Sequence, residues 1–307
     1  MNSDVLIVGT GALATLFASR LTSAGCAISM LGTWPEGLTA LRIHGARLVD
    51  ANGNAQTFNV RVADDPKTCR GAKYALVLVK AWQTERAARQ LAECLADDGL
   101  AVTLQNGLGN REILAAQLGD SRVALGTTTT GATLLGPGLV RAGGEGKISI
   151  EAHPALGPIE EALRNAKFNV EIVDDAQSLV WGKLVVNAAI NPLTALLRIP
   201  NGELLNRPTA RALMHALAEE AASVASAEKI ELTFSDATAA VEEVAKKTAL
   251  NHSSMFQDVQ RGAATEIDAI CGAVARAGQK HGIPTPINAA CWQLVKALTV
   301  NEQLSSS

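Results

Sequence analysis

An α/β protein is predicted, with an N-terminal Rossmann-type doubly wound sheet followed by an all-helical C-terminal domain. Three observations predict it. Short β-branched runs alternate with helical patterns through the first half of the chain. A glycine loop stands between the first run and the first helical pattern. After Asp174 the strand patterns give way to Ala-rich segments of helical period. Alternation of this kind marks parallel βαβ units, whose strands are buried on both faces and therefore read as continuous apolar runs.

The strand candidates follow in the order DVLIVGTG, CAISMLG, FNVRV, KYALVLVK, GLAVTLQNG and RVALGTTTT. Residues 137–173, with GPGLVRAGGEGKISIE and FNVEIV, read as a glycine-rich excursion and late strands that close the same sheet. Beyond them, helices are expected near 177–197, 208–228, 235–248, 261–281 and 285–300, several opened by Ser, Thr or Pro start signals. A chain of 307 residues exceeds one ordinary hydrophobic core. The expected domains are 1–173 for the sheet and 174–307 for the helices.

In VLIVGTGALATLFASRL, Gly9, Gly11 and Ala14 form a G-x-G-x-x-A pattern between strand and helix. Gly9 permits the tight turn, Gly11 lets backbone approach a pyrophosphate, and Ala14 lets the helix pack closely on the strand. The helix start adds unpaired N–H groups and a positive dipole end. Gly9, Thr10, Gly11, Ala12, Leu13 and Ala14 are therefore candidate dinucleotide-binding residues. The second strand ends in MLGTWPEGL, with neither an acid nor an Arg at Gly32 or Thr33, and Glu36 displaced by Pro35. That position leaves NAD and NADP undecided.

Composition narrows the rest. With 48% hydrophobic and 19% charged residues the chain reads as an ordinary globular protein. A net charge of -3, from 30 acidic and 27 basic residues, carries no footprint for nucleic acid or an anionic membrane. The five cysteines are scattered and include no C-x-x-C pair, so no disulfide framework and no metal site is expected. The N-terminal segment lacks a basic stretch and cleavage site, and a cytoplasmic location is expected.

The segment WGKLVVNAAINPLTALLRIPNGELL, 181–205, is apolar apart from Lys183, Asn187 and Asn191 at intervals of four. Residues four apart stack on one helix face, so one polar stripe runs along an otherwise hydrophobic rod. Burying such groups without partners costs about 1–3 kcal/mol each. On this pattern alone the stripe is either a solvated face or a site.

Together with GTGALA, VKAWQ (79–83), QNGLGN (105–110), GTTTTGA (126–132), the 181–204 segment and SSMFQDVQRGAATEID (253–268), the chain resembles the ketopantoate reductase (2-dehydropantoate 2-reductase) family. The resemblance implies NADPH-dependent reduction of a branched 2-keto acid in pantothenate and coenzyme A synthesis. It implies that Lys183 is the general acid, and that Asn187, Asn191, Asn201 and Ser254 hold the substrate. Asn106 would reach both cofactor and substrate, Ala132 would lie along the cofactor, Glu266 would contact the nicotinamide side, and Lys80 and Gln83 would line the adenosine side. The expected partners are a small 2-keto acid and, for the assembly, a second copy of the chain.

The chemistry accounts for these residue types. Hydride arriving at a ketone leaves an alkoxide, which a positioned ammonium both polarises beforehand and protonates. A free lysine titrates near ~10.4, and burial among LVV and AAI is expected to lower that. Carboxamides offer a donor and an acceptor without net charge. On this reading the stripe faces a cleft between the domains. The missing Arg after the second strand departs from the family, so NADP(H) is favoured and NAD(H) stays open, with Lys80 or Arg42 as substitute phosphate ligands. The alternatives are a reductase of another 2-keto acid and a non-catalytic dinucleotide sensor, which has no use for a proton donor at Lys183.

Overall fold

The computed structural model describes residues 5–299; Val300, where the last expected helix ends, lies outside them. Two compact units divide the chain, Met1–Gln105 with Asn110–Ala176, and Asn106–Gly109 with Gln177–Ser307.

The first unit runs β1 (Val5–Val8), α1 (Ala12–Ser23), β2 (Ile28–Leu31), α2 (Pro35–His44), β3 (Ala46–Val49), β4 (Ala55–Phe58), β5 (Arg61–Ala63), β6 (Ala72–Val77), α3 (Thr84–Cys94), β7 (Leu95–Thr103), α4 (Asn110–Leu118), β8 (Val123–Thr128), β9 (Ala132–Gly136), β10 (Leu139–Ala142), β11 (Lys147–Glu151), α5 (Gly157–Asn165) and β12 (Asn169–Val173). Eight strands form one sheet in the order β12-β11-β8-β7-β6-β1-β2-β5. Every neighbouring pair is parallel except β8 with β11. The central runs are buried throughout, as Val5, Leu6, Ile7 and Val8 of β1 show, because helices cover both faces of a doubly wound sheet.

Two expectations are corrected. FNVRV is not one strand: it divides at Asn59 and Val60 into β4 and β5, which belong to different sheets. Nor does the whole 137–173 segment close the main sheet. β11 and β12 do so, while β10 joins β9, just upstream of the segment, and β3 and β4 in a second, four-stranded sheet of order β4-β3-β10-β9. The residues of β9 alternate between half-buried and exposed. That pattern suits a sheet with one wet face, here packed on α1, rather than a strand buried on both sides.

The second unit contains α6 (Gln177–Leu197), α7 (Glu203–Asn206), α8 (Pro208–Ala227), α9 (Ala237–Lys247), α10 (Ser254–Gln260), α11 (Cys271–His281) and α12 (Pro286–Thr299). Leu184, Val185 and Ala188 of α6 share a core with Met214, Leu217 and Ala221 of α8. By length and mean hydropathy (1.3) α6 is apolar enough to cross a membrane, but 72% of its apolar window is buried inside the protein, which makes it a core helix. Pro192 sits within it, and a proline has no N–H for the carbonyl four residues earlier. The Cys271 thiol donates to that carbonyl, Ala188 O, at 3.7 Å.

The single helix expected at 261–281 is also corrected. α10 ends at Gln260, Gly262 takes φ +65°, and α11 starts only at Cys271. Glycine in the left-handed region is a common helix terminator. The residues between form a turn segment that carries Glu266.

Candidate active site

The Lys183, Asn187, Asn191 stripe lies on α6, and its members differ in exposure. Lys183 and Asn187 are half-buried, while Asn191 is 6% exposed. Burial pushes the Lys183 ammonium down to about 8, and the Glu266 carboxylate opposes that shift. Desolvation penalises the charged amine, and the nearby anion returns part of the loss. Glu266 is itself buried, and Asn106 Nδ2 donates to its Oε2 at 3.0 Å. The resemblance placed Glu266 on the nicotinamide side, within a helix expected over 261–281. The break after Gly262 turns it inward.

Asn106 reaches Glu266 through a locally determined loop. Gln105 and Asn110 are buried and both are held at Thr84: Gln105 Nε2 donates to Thr84 Oγ1 at 2.8 Å, and Thr84 Oγ1 lies 2.8 Å from Asn110 Oδ1. With its ends fixed, the loop projects residues 106–109, which cluster with the helical unit. Leu108 N donates to Ala269 O at 3.1 Å. Gly107 has φ +82°, and a Cβ there would lie 2.4 Å from the same Ala269 oxygen.

Asn191 and Asn187 make no side-chain hydrogen bond among the described residues. That is unusual for carboxamides so far from solvent, and Asn191 therefore offers unused donors and an acceptor. Asn201 is placed differently. Its Nδ2 donates to Thr248 Oγ1 at 2.9 Å, so it also holds the chain after α9, although its buried Oδ1 has no partner among the described residues. Ser254 is exposed and opens α10, but the cap is Ser253, whose hydroxyl accepts from Phe256 N at 3.1 Å and from Thr194 Oγ1 at 2.7 Å. Adjacent serines could not be told apart by pattern. The structure assigns capping to the buried one and leaves the Ser254 hydroxyl out of it.

In the first unit, Gly9 has φ +131° and its Cβ would press on Leu78 O at 3.1 Å, so the turn after β1 requires glycine. A Cβ on Gly11 would meet open space, α1 has no side-chain cap and no acid in its first turn, and Ala14 is fully buried. Open backbone at an uncapped helix start fits a pyrophosphate. Lys80 and Gln83 share a tight loop after β6, with Lys80 N donating to Gln83 Oε1 at 3.3 Å. Ala132 opens β9 in the second sheet. Among the described residues no group of three or more His, Cys, Asp or Glu could hold a metal.

A glycine-loop α/β unit on the same chain as a helical unit with a half-buried lysine of lowered pKa is the build of a two-domain oxidoreductase. The chain belongs to the ketopantoate reductase family. The model described as "Ketopantoate reductase PanE/ApbA" matches residues 5–155, and its C-terminal counterpart matches 175–299. The 2-dehydropantoate 2-reductase of Archaeoglobus fulgidus is 36% identical, with 96% of this chain and 97% of that one covered. A PanE/ApbA family ketopantoate reductase from Ralstonia eutropha superposes with a TM-score of 0.91 at 31% identity, covering 98% and 99% of the two chains. D-mandelate dehydrogenase, solved with NADH and anilino(oxo)acetate, also gives 0.91, at 26% identity over 97% and 99%.

Proposed function

We propose that the chain reduces 2-dehydropantoate to pantoate with a reduced nicotinamide dinucleotide, in the supply of pantothenate and coenzyme A, with Lys183 as the proton donor. The observation that carries this reading is the half-buried Lys183, displaced to about 8 and opposed by Glu266, on a helix face that also presents Asn187 and Asn191. The dinucleotide, when bound, supplies the hydride. Lys183 Nζ polarises the ketone oxygen and then transfers its proton to the alkoxide, so protonation balances hydride arrival. Asn187, Asn191 and Ser254 offer neutral hydrogen bonds to the carboxylate and hydroxyls of the substrate, with Asn201 beside them. Asn106 and Glu266 hold each other, and Glu266 keeps enough negative potential near Lys183 for the amine to be protonated at neutral pH. In the first unit, Gly9 to Ala14 cradle the pyrophosphate, with Lys80 and Ala132 as further contacts.

Following loss of reduced-nicotinamide absorbance with a panel of 2-keto acids tests the proposal. Turnover with 2-dehydropantoate well above the others supports it, and no turnover with any of them sinks it. The second reading, another 2-keto acid, is favoured by the close superposition on an enzyme of D-mandelate, a 2-hydroxy acid. The family resemblance favours NADP(H) over NAD(H), and the lack of an Arg after β2 is expected to reduce that preference to a ratio of about tenfold or roughly 1.4 kcal/mol.

Two outcomes are expected at the bench. As a general acid Lys183 must carry its proton, so kcat/KM, which reports the free enzyme, stays level below about 8 and falls tenfold per pH unit above it. A profile level well past that value excludes Lys183 as the titrating donor. Asn191→Ala is expected to raise KM for 2-dehydropantoate about tenfold while the melting temperature changes little, since its carboxamide holds nothing in the fold. A large drop in melting temperature with normal KM shows a structural residue instead.

A further inference from the structure

The choice between the two dinucleotides is made where the adenosine ribose sits, past the ends of the strands beside the glycine loop. With Gly9 to Ala14 read as a dinucleotide cradle, a reading on which this selection rests, that place is the edge beyond β1, β2 and β5. Val8 of β1 is level with Leu31 of β2, and Leu31 is level with Ala63 of β5. Gly9 N donates to Leu31 O at 2.8 Å, and Gly32 N donates to Ala63 O at 3.1 Å. Gly9, Gly32 and Asp64 are thus the first residues past three adjoining strands, spaced by about 4.8 Å each.

Position 32, where an acid or an arginine selects the cofactor in such sheets, has no room for a side chain here unless Thr10 shifts. A Cβ on Gly32 would lie 2.6 Å from Cγ2 of Thr10, which is itself buried. The next charge along the edge is Asp64, and Arg42 of α2 closes on it, Nη2 to Oδ2, at 2.8 Å. Hydrogen bonding and charge from Arg42 hold the Asp64 carboxyl below the usual carboxylate range, so it stays ionised. Neighbouring Asp65 is committed elsewhere, accepting from Lys67 N at 2.9 Å to cap the turn over Pro66–Cys69. Both members of the Arg42–Asp64 pair are well exposed, and such pairs contribute little to stability. Either partner can turn to a ligand at small cost to the fold.

We propose that Arg42 and Asp64 together select the dinucleotide. Arg42 is the cation for a 2′-phosphate, which a planar guanidinium matches with paired donors. Asp64 is the acceptor for a 2′-hydroxyl and repels the phosphate. Their ion pair sets the two tendencies against each other and keeps discrimination small.

Calorimetric titration of the full chain with NADPH, NADH, adenosine 2′-monophosphate and adenosine 5′-monophosphate tests this without turnover. Asp64→Asn is expected to shift the ratio of dissociation constants about tenfold towards NADPH and the 2′-phosphate fragment. Arg42→Met is expected to shift it about tenfold towards NADH, and the double variant to return near the starting ratio. Asp98→Asn, which breaks an exposed pair with Lys73, serves as the control and leaves the ratio alone. If the variants bind both dinucleotides with an unchanged ratio, the pair is a surface ion pair only and the proposal fails while the cradle stands. If the unaltered chain binds neither dinucleotide, the cradle reading falls and the selection falls with it.

Discussion

Lys183→Ala is expected to lower kcat for 2-dehydropantoate by about 10²–10⁴-fold, the scale of a lost general acid, while dinucleotide affinity measured by fluorescence titration stays the same. The separation of effects follows from placement. Lys183 stands on α6 in the helical unit, and the glycine loop belongs to the sheet unit. Lys183→Arg distinguishes charge from proton transfer. A guanidinium keeps its proton far above neutral pH, so it can polarise the ketone but gives up a proton poorly, and it too is expected to lose most of kcat. If the arginine variant turns over normally, polarisation alone suffices and the proton comes from elsewhere.

The second large effect is expected at Gly107. A Cβ there would lie 2.4 Å from Ala269 O and 2.7 Å from Ala269 Cβ, and φ +82° disfavours any L side chain. Gly107→Ala must therefore move the loop away from the 266–269 segment. The hydrogen bonds of Asn106 to Glu266 and of Leu108 to Ala269 then lengthen or break. A displacement of ~1 Å near reacting groups can cost about 10²-fold in rate, so kcat/KM is expected to fall by that order. The strain removes about 1–3 kcal/mol of stability, visible as earlier thermal unfolding. Full activity in the variant would show that the loop does not position Asn106.

Much of this was legible in the sequence because it rests on periodicity. α6 spans 177–197 as its apolar period indicates, and it runs through Pro192, with Cys271, distant in sequence, meeting the freed carbonyl. The glycine loop was legible because conformational need selects Gly9. The second sheet was not, since short amphipathic strands such as β9 look the same whichever sheet they join, and partner choice depends on the face of α1. The setting of Glu266 was not legible for a related reason. A continuous helix over 261–281 gives its carboxylate no link to Asn106, whereas Gly262 breaks the helix and turns the carboxylate towards that residue. The choice between Ser253 and Ser254 turned on a buried hydroxyl, Thr194, nearly sixty residues earlier in the chain.

The loop of residues 106–109 also bears on how such a protein can be divided. A polypeptide starting at Gln177 would carry Lys183, both stripe asparagines and Glu266, yet it would lack the carboxamide that holds Glu266 and the amide that holds Ala269. Its buried carboxylate would lose a donor and its lysine a steadied counter-charge. The proposed catalytic centre is thus encoded discontinuously. Gene fusion, domain exchange or split-protein complementation with a junction near residue 176 is expected to need the short upstream loop returned to the helical half for the proposed proton donor to work.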